Sequence, residues 1–93
     1  MGKVLIVDDN EMNRKFLRVV LQNCGYEIIE ANDGEQAIKM AIEDMPDLIL
    51  MDIQMPVIDG IAATKMLKLE TSTKDIPVIA LTSYAMKEDR EKI

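Results

Sequence analysis

Short wholly apolar runs alternate along the chain with longer stretches whose apolar residues recur every three or four positions. Val4-Leu5-Ile6-Val7 is apolar on both faces, the pattern of a central parallel strand. Asp9 or Asn10 can then cap a helix that carries Met12, Phe16, Leu17, Val20 and Leu21 at helical spacing, with Gly25 as its stop. Tyr26 to Glu30 mixes polar and apolar positions and predicts an edge strand. Asp33 and Gln36 form a capping box before a helix bearing Ala37, Ile38, Ala41, Ile42 and Met45, and Pro46 follows.

Leu48-Ile49-Leu50-Met51 is a second doubly buried strand, ending in Asp52. Pro56 and Asp59-Gly60 punctuate the loop after it. A third helix is expected around Ile61, Ala62, Met66 and Leu67, then a polar loop from Glu70 to Asp75. Pro77 opens Val78-Ile79-Ala80-Leu81, expected to be a third doubly buried strand, which ends in Thr82. From Ala85 the pattern turns helical again. Strands alternating with helices predict a parallel sheet with right-handed crossovers and helices on both faces. The last strand reads as interior, and the last helix has no stop signal, so further chain is expected after Ile93.

At 93 residues the chain is one small domain. No apolar run approaches the ~18 residues that span a bilayer. Lys3 is followed at once by the first strand rather than by a signal sequence, and Ile6 stands where a myristoylation signal needs Ser or Thr. The expectation is a cytoplasmic protein that does not act at a membrane. The net charge of −6 shows no concentrated basic footprint, which argues against nucleic-acid binding. The absence of His and the single Cys argue against a zinc site, and the lack of His excludes Ser–His or Cys–His nucleophile pairs. Cys24 is expected to be a small core residue at a helix end.

In open α/β sheets, ligands gather at the carboxyl ends of the strands. There the first strand gives Asp8 and Asp9, the second buried strand gives Asp52, and the last gives Thr82. Singly, each has a plain alternative: Asp9 as a helix cap, Asp52 as a turn former, Thr82 bonded to its own backbone. Together, on neighbouring strands, they would crowd three carboxylates and a hydroxyl into one site. Like charges that close repel, and a divalent hard cation such as Mg²⁺ would relieve them.

The chain closely resembles the receiver domain of bacterial two-component response regulators. The likeness rests on Val4-Leu5-Ile6-Val7-Asp8-Asp9-Asn10, on Asp47 to Pro56 with Met51-Asp52-Ile53-Gln54-Met55-Pro56 at its end, on Asp59-Gly60, and on Ile76-Pro77-Val78-Ile79-Ala80-Leu81-Thr82. The Met51–Pro56 wording looks most like single-domain and hybrid-kinase receivers. The resemblance implies a flavodoxin-like doubly wound parallel sheet, here in order 2-1-3-4. It implies that Asp52 accepts a phosphoryl group from a phosphohistidine on a histidine kinase or histidine phosphotransfer protein. Asp8, Asp9, Asp52 and the backbone carbonyl of Gln54 would hold Mg²⁺. Thr82 and Ser83 would carry the conformational switch to a downstream protein partner. Asn10, Asn13 and Arg14 would mark the docking region for the phosphodonor.

The family's fifth strand with its Lys, its fifth helix and its aromatic switch residue have no counterpart in the sequence. Lys87, Lys92 and Tyr84 do not occupy those positions. Residues 1–93 are therefore expected to be a receiver domain incomplete on its C-terminal side. If the chain ended there, the fourth strand would be an apolar edge prone to self-association. A receiver-like interaction module without phosphotransfer is the alternative. A haloacid-dehalogenase-like phosphatase is disfavoured because Asp8-Asp9-Asn10 lacks its Asp-x-Asp spacing.

Overall fold

The computed structural model describes residues 2–52 and 60–81. Four parallel strands, β1 (Lys3–Val7), β2 (Glu27–Ala31), β3 (Leu48–Asp52) and β4 (Val78–Leu81), form one sheet in the order β2-β1-β3-β4. Three helices connect them: α1 (Glu11–Asn23), α2 (Gly34–Asp44) and α3 (Gly60–Leu69). The alternation and the sheet order are those expected. The helix expected from Ala85, the Pro56–Asp59 turn and Thr82, Ser83 and Tyr84 lie outside the described residues.

The apolar runs of β1 and β3 are buried on both faces because these strands are central in the sheet and helices cover each side of it. Leu5, Val7, Ile49 and Met51 pack with Ala37 and Ala41 of α2 and with Ala63 and Leu67 of α3. Small side chains on α2 let the helix lie close on the sheet. The opposite face is thinner: Val4, Ile6 and Leu50 are covered by Leu17 and Leu21 of α1. Of the other apolar residues on α1, Met12, Phe16 and Val20 are exposed, so the helical spacing marked a wider stripe than the sheet covers. Ile42, Met45, Ile61 and Met66 are likewise exposed.

The helix ends follow local chemistry. Asn10, rather than Asp9, caps α1, its side chain accepting from Asn13 N–H at 3.0 Å. Gly25, at φ 94°, takes the left-handed turn after α1 that other residues adopt at a penalty. Asp33 caps α2 through Gln36 N–H at 2.7 Å, and Gln36 Oε1 accepts from Asn32 N–H at 2.8 Å, one residue ahead of the reciprocal bond of a standard box. Met45 ends α2 in the left-handed region at φ 48°.

Two expectations are corrected. β4 is not doubly buried: it is the edge strand among the described residues, paired only with β3, and Ile79 is 51% exposed. Its sequence has interior composition, but burial follows from neighbours, and composition does not supply them. Cys24 is exposed, because it falls at the C-cap of α1 where the chain turns outward. The Glu70–Asp75 segment is the expected polar loop, with one residue turned inward. Thr73 is fully buried there, its hydroxyl donating to the Leu67 carbonyl at 2.6 Å and closing the end of α3.

Candidate functional site

β1 and β3 pair in parallel with Val7 opposite Met51, so the residues that follow, Asp8 and Asp52, emerge side by side at the carboxyl edge of the sheet. Both are nearly inaccessible, Asp8 at 2% and Asp52 at 4% exposure. Asp9 is exposed and completes the cluster: one carboxylate oxygen from each of the three lies within 4.8 Å of the others. The buried strands deliver their last polar residue to a point where the apolar core stops and the loops begin.

Asp8 is held firmly. Its N–H donates to the Ala31 carbonyl at 3.1 Å, and its Oδ1 accepts from Asn10 N–H at 2.9 Å. Burial pushes its carboxyl from the usual 3.8 up to about 6. The neighbouring charge of Asp52 and a side-chain hydrogen bond to Asp52 push the same way, while hydrogen bonds from Asn10 and Asn13 pull it back. The site therefore strains against holding its full negative charge.

That strain has the sign a cation relieves. The donor set is all oxygen, carries three carboxyl groups, and is buried on one side and open at Asp9. A hard divalent ion of the Mg²⁺ type fits it, with few protein ligands and room for water. Gln54, whose carbonyl was expected to join the set, and Thr82 and Ser83 of the expected switch lie outside the described residues.

The expected docking residues are placed differently from one another. Asn10 is exposed at the cap, while Asn13 is half-buried and hydrogen-bonded to Asp8. Arg14 is turned inward, its Nη1 donating to the Asp8 carbonyl at 2.7 Å and its Nε to Glu30 at 3.2 Å. Sequence reasoning missed Glu30 and Arg18, whose ion pair of 2.6 Å completes this network. The spacing of Arg14 and Arg18, one helical turn apart, was visible; their shared partner depends on how α1 lies against β2, which strand order alone does not give.

A doubly wound parallel sheet with an acidic cluster at its carboxyl edge is a flavodoxin-like α/β domain. The chain belongs to the response regulator receiver domain family, which matches it over residues 4–93. It is 49% identical over 90 residues to the polar-differentiation response regulator DivK of Brucella anthropi, covering 97% of this chain and 73% of that protein. The receiver domain of the sensor histidine kinase PA1611 from Pseudomonas aeruginosa superposes with a TM-score of 0.86 at 37% identity, covering 97% of this chain and 74% of that one. That crystal structure has a magnesium ion coordinated in its active-site cleft. The chemotaxis protein CheY4 of Vibrio cholerae superposes with a TM-score of 0.82 at 33% identity, covering 99% of this chain and 79% of that one. Phosphorylation on an aspartate is general to the family, which serves in two-component signalling. Among the described residues no helix is long and apolar enough to cross a membrane.

Proposed function

We propose that this chain is a phosphorylatable receiver that accepts a phosphoryl group on Asp52 from a phosphohistidine partner, with Mg²⁺ held by Asp8, Asp9 and Asp52. The observation that carries this reading is the convergence of those three carboxyl groups at the ends of adjacent strands. The receiver likeness of the Met51–Pro56 run makes Asp52 the nucleophile; it ends β3, with Asp8 beside it at the end of β1 and Asp9 nearer solvent. A carboxylate oxygen of Asp52 attacks phosphorus, the phosphorus–nitrogen bond to the donor imidazole breaks, and the imidazole leaves with that electron pair. Alignment and charge neutralisation carry most of such a transfer. When bound, Mg²⁺ supplies positive charge against both the carboxylates and the incoming phosphoryl oxygens. Asp8, buried and hydrogen-bonded, fixes the floor of the site, and Asp9 offers the accessible ligand.

Gln54 is also assigned as a backbone-carbonyl ligand, and Thr82 with Ser83 as the residues of the switch, on the family likeness of the sequence around them. The exposed end of α1 around Asn10 receives a histidine kinase or phosphotransfer protein. The switched state is read by a downstream protein partner in the cytoplasm.

Intact mass before and after acetyl phosphate, with Mg²⁺ or with EDTA, tests the proposal. One phosphoryl group is expected, dependent on Mg²⁺ and absent in Asp52→Ala. Addition that persists in Asp52→Ala, or no addition in the presence of Mg²⁺, would overturn it.

A further inference from the structure

Arg14 lies in the first turns of α1, yet its side chain is only 15% exposed. Its Nη1 donates to the backbone carbonyl of Asp8 at 2.7 Å, and its Nε to Glu30 Oε1 at 3.2 Å. The other Glu30 oxygen takes Arg18 Nη1 at 2.6 Å. One planar guanidinium thus ties three elements together: the end of β1, the first turns of α1, and β2.

The accepting carbonyl matters. It belongs to the peptide unit that joins Asp8 to Asp9, and a peptide unit is rigid and planar. The Asp8 N–H on the other side of the same residue is fixed to Ala31. With both backbone groups of Asp8 held, the direction in which Asp9 leaves the strand is set relative to Asp8. We propose that Arg14, braced by Glu30, is a positioning residue for the cation site: it fixes the peptide plane between Asp8 and Asp9 and so the relation of their carboxylates. The inference rests on the reading of those two residues as Mg²⁺ ligands.

The sign of the effect separates this role from a bystander charge. Arg14 is a cation beside a cation site, so removing its charge alone would strengthen Mg²⁺ binding. Removing a group that orients the ligands weakens it, by about tenfold where such outer partners have been tested. Lysine keeps the charge but lacks the planar fork that reaches Asp8 and Glu30 together.

The test is a Mg²⁺ titration of the ¹⁵N-labelled protein, read from amide shifts well below each melting temperature. The expected result is a Kd about tenfold higher in both Arg14→Gln and Arg14→Lys. Arg18→Gln, which removes an equal charge without touching the Asp8 carbonyl, is expected to bind as tightly as the parent or more so. If Arg14→Gln does not fold, Arg14→Lys decides. An unchanged or lower Kd in the Arg14 variants overturns the inference, as does equal weakening in Arg18→Gln. Absence of saturable binding in the unmodified chain would overturn the metal reading itself, a result distinct from binding that the Arg14 variants leave intact.

Discussion

Asp8 and Asp52 each directly follow one member of a register pair, Val7 on β1 and Met51 on β3, so parallel pairing alone sets the two carboxyl groups side by side. No loop has to fold correctly for this to happen. The arrangement is unfavourable in isolation, since both groups are buried and of like charge. A sheet built only for stability would end such strands in a way that avoids it. Burial and the neighbouring charge raise the Asp8 carboxyl, which makes the cost measurable.

The folded-state value for Asp8, about 6, lies above its ordinary 3.8. The folded chain therefore binds this proton more tightly than the unfolded chain. That stabilising contribution is fully present below about pH 4 and is lost as pH rises through about 6. Asp8→Asn keeps the oxygen that accepts from Asn10 and removes the charge. In EDTA near neutral pH the variant should be more stable by roughly 2–3 kcal/mol, or about 10 °C in Tm. Near pH 4 the two proteins should melt together. Circular dichroism melts at both pH values check this, and a variant no more stable at neutral pH would count against the buried-charge account.

Met45 holds φ 48° at the end of α2 with an exposed side chain. A left-handed residue with a Cβ carries a penalty of about 1 kcal/mol that glycine escapes. Met45→Gly should therefore leave the urea midpoint unchanged or raise it slightly, by the equivalent of at most about 0.5 kcal/mol after the entropy lost to the unfolded state. A lower midpoint would mean that the exposed Met45 side chain packs more than its accessibility indicates.

Much of this architecture was legible because it depends on local pattern. The doubly apolar runs at Val4–Val7 and Leu48–Met51 announced central strands, and Asp33 and Gly25 marked helix boundaries through chemistry confined to a few residues. The acidic cluster was legible for the same reason, since each carboxylate ends a recognisable strand. What stayed hidden depends on partners distant in sequence. The exposure of Phe16 and the Arg14–Glu30–Arg18 network follow from which side chains meet between elements, which no local window contains.

Thr73 belongs to that hidden set. Its hydroxyl donates to the Leu67 carbonyl at 2.6 Å in a fully buried position. Thr73→Val keeps the volume and leaves that carbonyl without its donor, so a loss of about 1–2 kcal/mol is expected. Thr73→Ser keeps the donor and loses one methyl, a loss of about 1 kcal/mol with a different origin. Urea denaturation of both variants checks this; a neutral Thr73→Val would show that the hydroxyl adds nothing to the join between α3 and β4.

Asp8 and Asp9 differ in burial, and this makes their responses to Mg²⁺ separable. A ligand that binds only the folded state stabilises it by RT ln(1 + [L]/Kd), so Mg²⁺ should raise the Tm of the parent chain at neutral pH. Below about pH 4 the increase should vanish, because Asp8 then holds its proton and offers no charge. Asp8→Asn should start from a higher Tm in EDTA and gain little from Mg²⁺, since the variant removes both the strain and a ligand. Asp9→Asn should start from a stability within about 0.5 kcal/mol of the parent, as exposed positions do, and still lose most of the Mg²⁺ gain. Melts of the three proteins with and without Mg²⁺ distinguish the roles. A full Mg²⁺ response in Asp9→Asn would remove Asp9 from the ligand set and leave the cation to the buried pair.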